Sequence, residues 1–226
     1  MLQLLLFITF FSFFEHAQAQ KLEVALSDIG PLSYVEDGKF KGINYDFFTQ
    51  IEKESGLQFK YVMYPHARLV HSIEKTQADL AIFFSMNCLK YASTYEIHSK
   101  VHQVHLGLYL KDSATLTKPH LQIGLVRGTC SRLAKASLKP NMIFEVASMD
   151  QALKMINAGH LDGVCGLKAV IDFSVGKIKN FKQTLTLAQA DSSPMEAVIC
   201  RKKSLPPEIK KKLDEATKKL KAPQLE

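Results

Sequence analysis

The sequence predicts an α/β protein of two Rossmann-like lobes with mainly parallel sheets, joined by a two-strand hinge. Three observations predict it. Strand-like and helix-like stretches alternate along the chain, the pattern that places helices over parallel strands. Two short apolar runs, "DLAIFF" at 79–84 and "DGVCG" at 162–166, each follow a helix-like stretch and each begin with Asp, as if one unit were used twice. After the second set of elements a further strand and a Lys-rich helix follow, and they are expected to return to the first lobe. That return makes two crossings, and two crossings make a hinge.

The first 19 residues stand apart from the fold. "MLQLLLFITFFSFF" is apolar, lies at the terminus and ends in "EHAQAQ", where Ala17 and Ala19 form the small-x-small pattern of a signal-peptidase site. A membrane span needs about 18 or more apolar residues, so residues 1–19 are expected to be a signal peptide. Export to the periplasm follows as the expected localisation.

The strand "KLEVALS" opens the mature chain, with Leu22, Val24 and Leu26 alternating. "DIGPLSYVEDGKFKGINYD" is expected to be a loop and hairpin turning at Asp37-Gly38. "INYDFFTQIEKESG" places Ile43, Phe47, Phe48 and Ile51 on one helical face and stops at Gly56. "LQFKYVMY" is a strand with Phe59, Tyr61 and Met63 on one side. Pro65 opens the next helix, whose Leu69, Val70 and Ile73 turn inward. "DLAIFF" lacks polar alternation and suits a strand covered on both faces.

The extended "VHLGLYLKD" is followed by a second round of the same pattern. "QIGLVRG" is a strand, "TCSRLAKASL" a helix, "IFEVA" a strand. "SMDQALKMINAG" is a helix with a Ser148/Gln151 capping box and Gly159 at its end. "DGVCG" is the matching strand and "LKAVIDFSVG" its helix. "MEAVICRK" and the last helix complete the chain. The expected lobes are 20–104 with 191–226, and 105–190.

Without residues 1–19 the chain keeps 29 basic residues against 21 acidic ones, a formal excess of eight. Much of this lies in "PPEIKKKLDEATKKLKAP", where Ile209, Leu213, Ala216 and Leu220 form an apolar stripe and lysines cover the opposite, solvated face. No zinc-knuckle spacing and no aromatic recognition signature accompany it, so no nucleic-acid partner is expected. Four cysteines, Cys88, Cys130, Cys165 and Cys200, permit disulfides in any of three pairings, or buried free thiols. None has Cys-x-x-Cys spacing. His98, His102 and His105, and His66 with His71, lack the three or four convergent ligands a metal needs, and are read as surface or hinge histidines. No metal and no cofactor are expected. No Gly-x-Ser-x-Gly elbow is present, and no catalytic set emerges.

"PLSYVEDGKFKGINYDFFTQIEKESGLQFKYVMYPHARLVHSIEKTQADLAIFF" resembles the first lobe of type II periplasmic solute-binding proteins, specifically bacterial extracellular family 3, whose members include binders of polar amino acids for ABC importers. "IGLVRGTCS" is similar to the turn that starts that family's second lobe, and "ALKMINAGHLDGVCGLKAVI" to its helix, Gly and Asp-strand unit. The resemblance covers nearly the whole mature chain. It implies a small-molecule ligand held between closing lobes, an ABC-transporter permease as partner, and a monomer.

The resemblance also implies where the pocket departs. The family's carboxylate-clamping Arg falls on Lys90, which attracts an anion only as a point charge. Its amine-binding acid falls on Leu167, and a buried ammonium there would lose its partner. His66 stands in place of an aromatic residue, and Ile29 in place of a stacking ring. Thr129 after Gly128, at a helix start, is expected to bind an anion. Arg68, Arg127, Asp28, Ser85 and Asn87 complete the candidate set. Together these imply a small polar ligand that is anionic or amino-acid-like. The alternatives are an enzyme of the cyclohexadienyl-dehydratase type on the same scaffold and a stand-alone sensory module.

Overall fold

The structure, a computed structural model, describes residues 21–111, 114, 116–223 and 225; the expected signal peptide lies outside the described residues. From the N-terminus it runs β1 (Leu22–Ser27), the hairpin β2 (Tyr34–Glu36) and β3 (Lys39–Lys41), α1 (Ile43–Ser55), β4 (Phe59–Tyr64), α2 (His66–Glu74), β5 (Leu80–Phe84), α3 (Ser85–Lys90) and β6 (Tyr95–Val104). After His105 come β7 (Leu106–Lys111), β8 (Ile123–Val126), α4 (Ser131–Ser137), β9 (Ile143–Val146), α5 (Met149–Asn157), β10 (Gly163–Leu167), α6 (Lys168–Lys177) and β11 (Leu185–Ala190). β12 (Met195–Lys202) and α7 (Pro207–Lys219) close the chain.

Two five-stranded sheets result, in the orders β4-β1-β5-β12-β6 and β11-β7-β10-β8-β9. In the first, β12 is antiparallel to both β5 and β6, so the other four strands share one direction. In the second, β7 is the reversed strand, between β10 and β11. Both sheets are therefore mainly parallel. The chain passes from the first to the second at His105 and back through 191–194. Asp191 secures the return: its N–H donates to the Leu106 carbonyl at 2.7 Å, and its carboxylate accepts from Arg132 at 2.6 Å.

Each sheet is packed on both faces. On the first, α1 and α7 cover one face, where Phe47, Phe48 and Ile51 meet Leu213 and Ala216. Gly56 ends α1 in the left-handed region at φ 64, donating its N–H to Glu52. Burying a side chain such as Phe48 or Ile51 contributes about 1.5–3 kcal/mol, so this apolar stripe, more than helix propensity, holds α1 in place.

The two Asp-led runs are a repeated structural clasp. Asp79 accepts the Glu23 N–H at 3.0 Å and returns its own N–H to the Glu23 carbonyl. Asp162 does the same to Gln122, at 3.1 Å, and also accepts from Lys118 and Lys111 at 2.7 and 3.1 Å. Each Asp thus ties the start of its own strand to the start of a neighbour. The opposite, C-terminal ends of β5 and β10 then face the other lobe.

Several expectations are corrected. "SMNCLK" coils into α3 beyond the end of β5, with Cys88 turned inward and bonded to Cys200 of β12, so Ser85, Asn87 and Lys90 are carried on a short helix. "LTLAQA" forms β11, an edge strand that escapes sequence reading because most of its residues are exposed and a bulge at Leu187–Gln189 breaks the alternation. His98 is not a surface residue: its side chain is 2% exposed, between Asp214 and Thr217. Of the three cysteine pairings, the structure takes Cys88–Cys200, joining α3 to β12, and Cys130–Cys165, joining the start of α4 to β10.

Candidate functional site

Parallel strands end together, and ligands bind beyond those ends. Here the ends of β1, β5, β8, β9 and β10 converge on one cleft of about 510 Å³, with the crossing strands as its back wall. That volume is in the range of sites that enclose a small ligand. First-lobe walls come from Asp28, Asn44, His66, Phe83 and Phe84, and second-lobe walls from Thr129, Asp150, Leu167, Val170 and Phe173.

Among the buried polar residues of the cleft wall are Asn44 and His66, and of the two His66 is the titratable one. Pro65 precedes His66 as the N-cap of α2, which turns its ring over the end of β1 and beside Phe83. Its Nδ1 lies 3.1 Å from Ser27 Oγ, while Nε2 has no hydrogen-bond partner among the described residues. Burial holds its pKa below the ordinary histidine range, and the Gly128 backbone works weakly the other way. Asn44, in the first turn of α1, donates its backbone N–H to Leu32, yet its side-chain Oδ1 is buried without a partner. On β6, His102 likewise has a buried, unpartnered Nδ1, and burial pushes its pKa down to about 4.

Two carboxylates face this space from opposite lobes. Asp28 follows β1; its pKa is raised chiefly by burial, with Lys177 pulling it down and Asp150 adding a smaller push upward. Asp150 sits in the first turn of α5, fixed by a cap in which Ser148 Oγ accepts from Gln151 N at 3.2 Å and Gln151 Oε1 accepts from Ala147 N at 2.9 Å. At the rim, Phe173 packs on Tyr34 with ring centroids 4.8 Å apart. The Lys177 ammonium lies 4.1 Å from the Phe173 centroid and 4.7 Å from that of Tyr34.

Of the residues singled out in the sequence for the pocket, Asp28, Ile29, His66, Thr129 and Leu167 line the cleft, and Arg68, Ser85, Asn87, Lys90 and Arg127 do not. Helix α3 explains three of these. Its coil carries Lys90 to the outside, 5.3 Å from the Tyr91 ring, so it is not placed as a clamp. Arg68 is exposed on α2, and Arg127 is exposed and paired with Glu145 at 3.2 Å. The Thr129 hydroxyl donates to the Val126 carbonyl at 2.7 Å, which closes its own turn.

Asn44, His102, Asp150, Phe173 and Lys177 were not anticipated. A signal existed for Asn44, a polar residue on the buried face of an amphipathic helix, and for Asp150, in the first turn of a capped helix after a strand. His102, read from the sequence as a surface or hinge histidine, sits on β6 and lines the cleft.

The model of the bacterial extracellular solute-binding proteins, family 3, matches residues 22–225. A search of curated protein sequences finds no match. Among solved structures, the arginine-, lysine-, histidine-binding protein ArtJ from Geobacillus stearothermophilus is similar at TM-score 0.71 and 19% identity, over 88% of this chain and 89% of that one. The arginine-bound form of truncated ArgBP from T. maritima gives 0.70 at 17% identity, over 89% and 96%. The periplasmic VFT2 domain of Bordetella pertussis BvgS gives 0.69 at 18% identity, over 91% and 90%. At these identities the structures show a shared fold, and the family match extends over almost the whole described chain. The chain belongs to the bacterial extracellular solute-binding proteins, family 3.

Proposed function

We propose that the chain is a periplasmic receptor that captures one small molecule between its lobes, 20–104 with 191–226 and 105–190, and delivers it to an ABC importer. The observation that carries this is the cleft of about 510 Å³ formed by the strand ends of both sheets, with two crossings behind it. Such a cleft closes by rotation about its crossings. Residues 1–19 would direct export and be removed. An anionic ligand was suggested by Lys90, Arg68 and Thr129; two of these stand outside the cleft and the third uses its hydroxyl proton in a turn, so the anion is not kept.

The test is direct. The protein, purified from a periplasmic fraction, is denatured and its released small molecules are identified by mass spectrometry, then added back to the stripped protein. A co-purifying compound that raises Tm and shrinks the particle in small-angle scattering supports the receptor. If no small molecule in a broad metabolite library does either, the proposal falls.

A sensory module is the second reading. It is favoured by the likeness to the BvgS domain and to a histidine kinase sensor domain similar to periplasmic binding proteins, at TM-score 0.69 and 11% identity. Ligand-dependent capture of a transporter permease or of a kinase ectodomain separates the two.

A further inference from the structure

We infer that the cleft is built for an amine with an apolar body and no carboxylate, a ligand class that rests on the receptor reading and sharpens it. The charges come first. Among the described lining residues the groups charged at neutral pH are Asp28, Asp150 and Lys177. The Lys177 ammonium is at the rim, against the Tyr34 and Phe173 rings. Among the described residues no Arg lines the cleft, and Leu167 ends β10 in apolar contact with both second-lobe cores. A ligand carboxylate inside would lie in the field of two carboxylates with no cation placed to pair it, which is unfavourable. An ammonium facing Asp28 and Asp150 would instead favour their ionised forms, offsetting the burial that chiefly raises the Asp28 pKa and the smaller repulsion from Asp150.

The unpartnered polar atoms point the same way. Asn44 Oδ1 and His66 Nε2 belong to residues only 6% and 7% exposed, and both residues line the cleft. A buried acceptor without a donor costs free energy that a ligand recovers by donating to it. Asn44 Oδ1 can only accept, so it asks for an N–H or O–H. Neutral His66 accepts at Nε2 when its Nδ1 proton goes to Ser27 Oγ and donates there in the other tautomer, so it takes either kind of ligand group and the demand for a donor rests on Asn44. Around these atoms the walls are apolar: Ile29, Leu32, Phe84, Val104, Leu106 and Val170. The complementary ligand has several N–H donors, one positive charge and a hydrocarbon body.

Two matched sets of one skeleton each decide this: phenethylamine, phenylalanine and 3-phenylpropionate; and 3-methylbutylamine, leucine and 4-methylpentanoate. Each is titrated calorimetrically into the mature, disulfide-bonded protein and into Asp150→Asn and Asn44→Leu, with circular dichroism to establish that both variants are folded. The amine of a set is expected to bind at least about tenfold more tightly than its amino acid, with the carboxylate silent. Asp150→Asn and Asn44→Leu should each weaken the amine about tenfold or more, the loss of one charge-assisted or buried hydrogen bond. Tighter binding of the amino acid or the acid overturns the inference, as does an amine affinity untouched by Asp150→Asn. If all six fail while the broad library still yields a ligand, the amine class is wrong and the receptor stands. If the library fails as well, the receptor reading falls with it.

Discussion

Gly30 lies directly beneath the Phe173 ring: a Cβ added to Gly30 would come within 2.1 Å of Phe173 Cε1. Gly30 belongs to the loop after β1 and Phe173 to α6, so this contact joins the two lobes. The missing side chain is what lets them meet. A second close approach sits deeper, where a Cβ on Gly128 would lie 3.3 Å from His66 Cδ2. Gly30→Ala should therefore hold the lobes apart or force the ring from its place. Overpacking of this kind costs about 1–3 kcal/mol, so ligand affinity should fall by about tenfold or more. Phe173→Ala in the same chain should recover most of that loss. Scattering and calorimetry on the single and double variants measure it; a Gly30→Ala protein that closes and binds normally refutes the contact's role.

Lys90→Ala should leave the affinity for whatever ligand co-purifies within about twofold. The reason is position: Lys90 is exposed at the end of α3, over Tyr91 and away from the cleft, and exposed single charges contribute little. A loss of more than about tenfold would show that α3 unwinds to bring the ammonium inward.

Much of the fold was legible because its signals are local and redundant. The stripe Phe47, Phe48, Ile51 with Gly56 behind it marks α1, and the Ser148/Gln151 pair marks the start of α5. The two Asp residues were visible as a repeat but not as clasps, since their partners Glu23 and Gln122 are 56 and 40 residues away. The site was harder for a related reason. The resemblance puts the carboxylate clamp at Lys90, but residues 85–90 coil into the six-residue α3, whose shorter rise per residue moves that side chain out of the register a strand would give. Asn44, Asp150 and Phe173 become neighbours of the cleft only when two lobes meet, and a single sequence does not show which faces come together.

Removing the second-lobe disulfide should both destabilise and loosen the site. Cys130 lies just after Gly128 and Thr129, in the left-handed region at φ 55, and its bond to Cys165 anchors that turn to β10. The two cysteines are 35 residues apart; closing a loop of this size is worth about 3–4 kcal/mol in the chain-entropy account. Cys130→Ala with Cys165→Ala is expected to lower stability by about that amount in urea unfolding, and to weaken ligand binding while keeping the Cys88–Cys200 bond. Peptide mapping without reductant checks the pairing: a peptide linking Cys88 to Cys130 or Cys165 would contradict it.

Acid should unfold the protein earlier than its carboxylates alone would require. His98 and His102 are held neutral, each with its pKa pushed down to about 4 chiefly by burial. For His98, Arg201 adds to the effect, and although Asp214 Oδ1 stands 3.0 Å away, Asp214 is itself bonded to Arg201 at 2.7 Å and does not restore the proton. In the unfolded chain both would titrate near 6.5. Between about pH 6.5 and 4 the unfolded state therefore binds more protons than the folded one. The stability these residues allow is fully present above about 6.5 and is lost as the pH falls toward 4. A single site of this kind contributes a slope of up to about 1.4 kcal/mol per pH unit. Melting followed by circular dichroism from pH 8 to 4 should show Tm dropping through this window, and His98→Gln, which keeps a neutral side chain of similar reach, should flatten the drop. An unchanged slope in His98→Gln would mean that His98 already carries its proton beside Asp214, and that the pair is ionic.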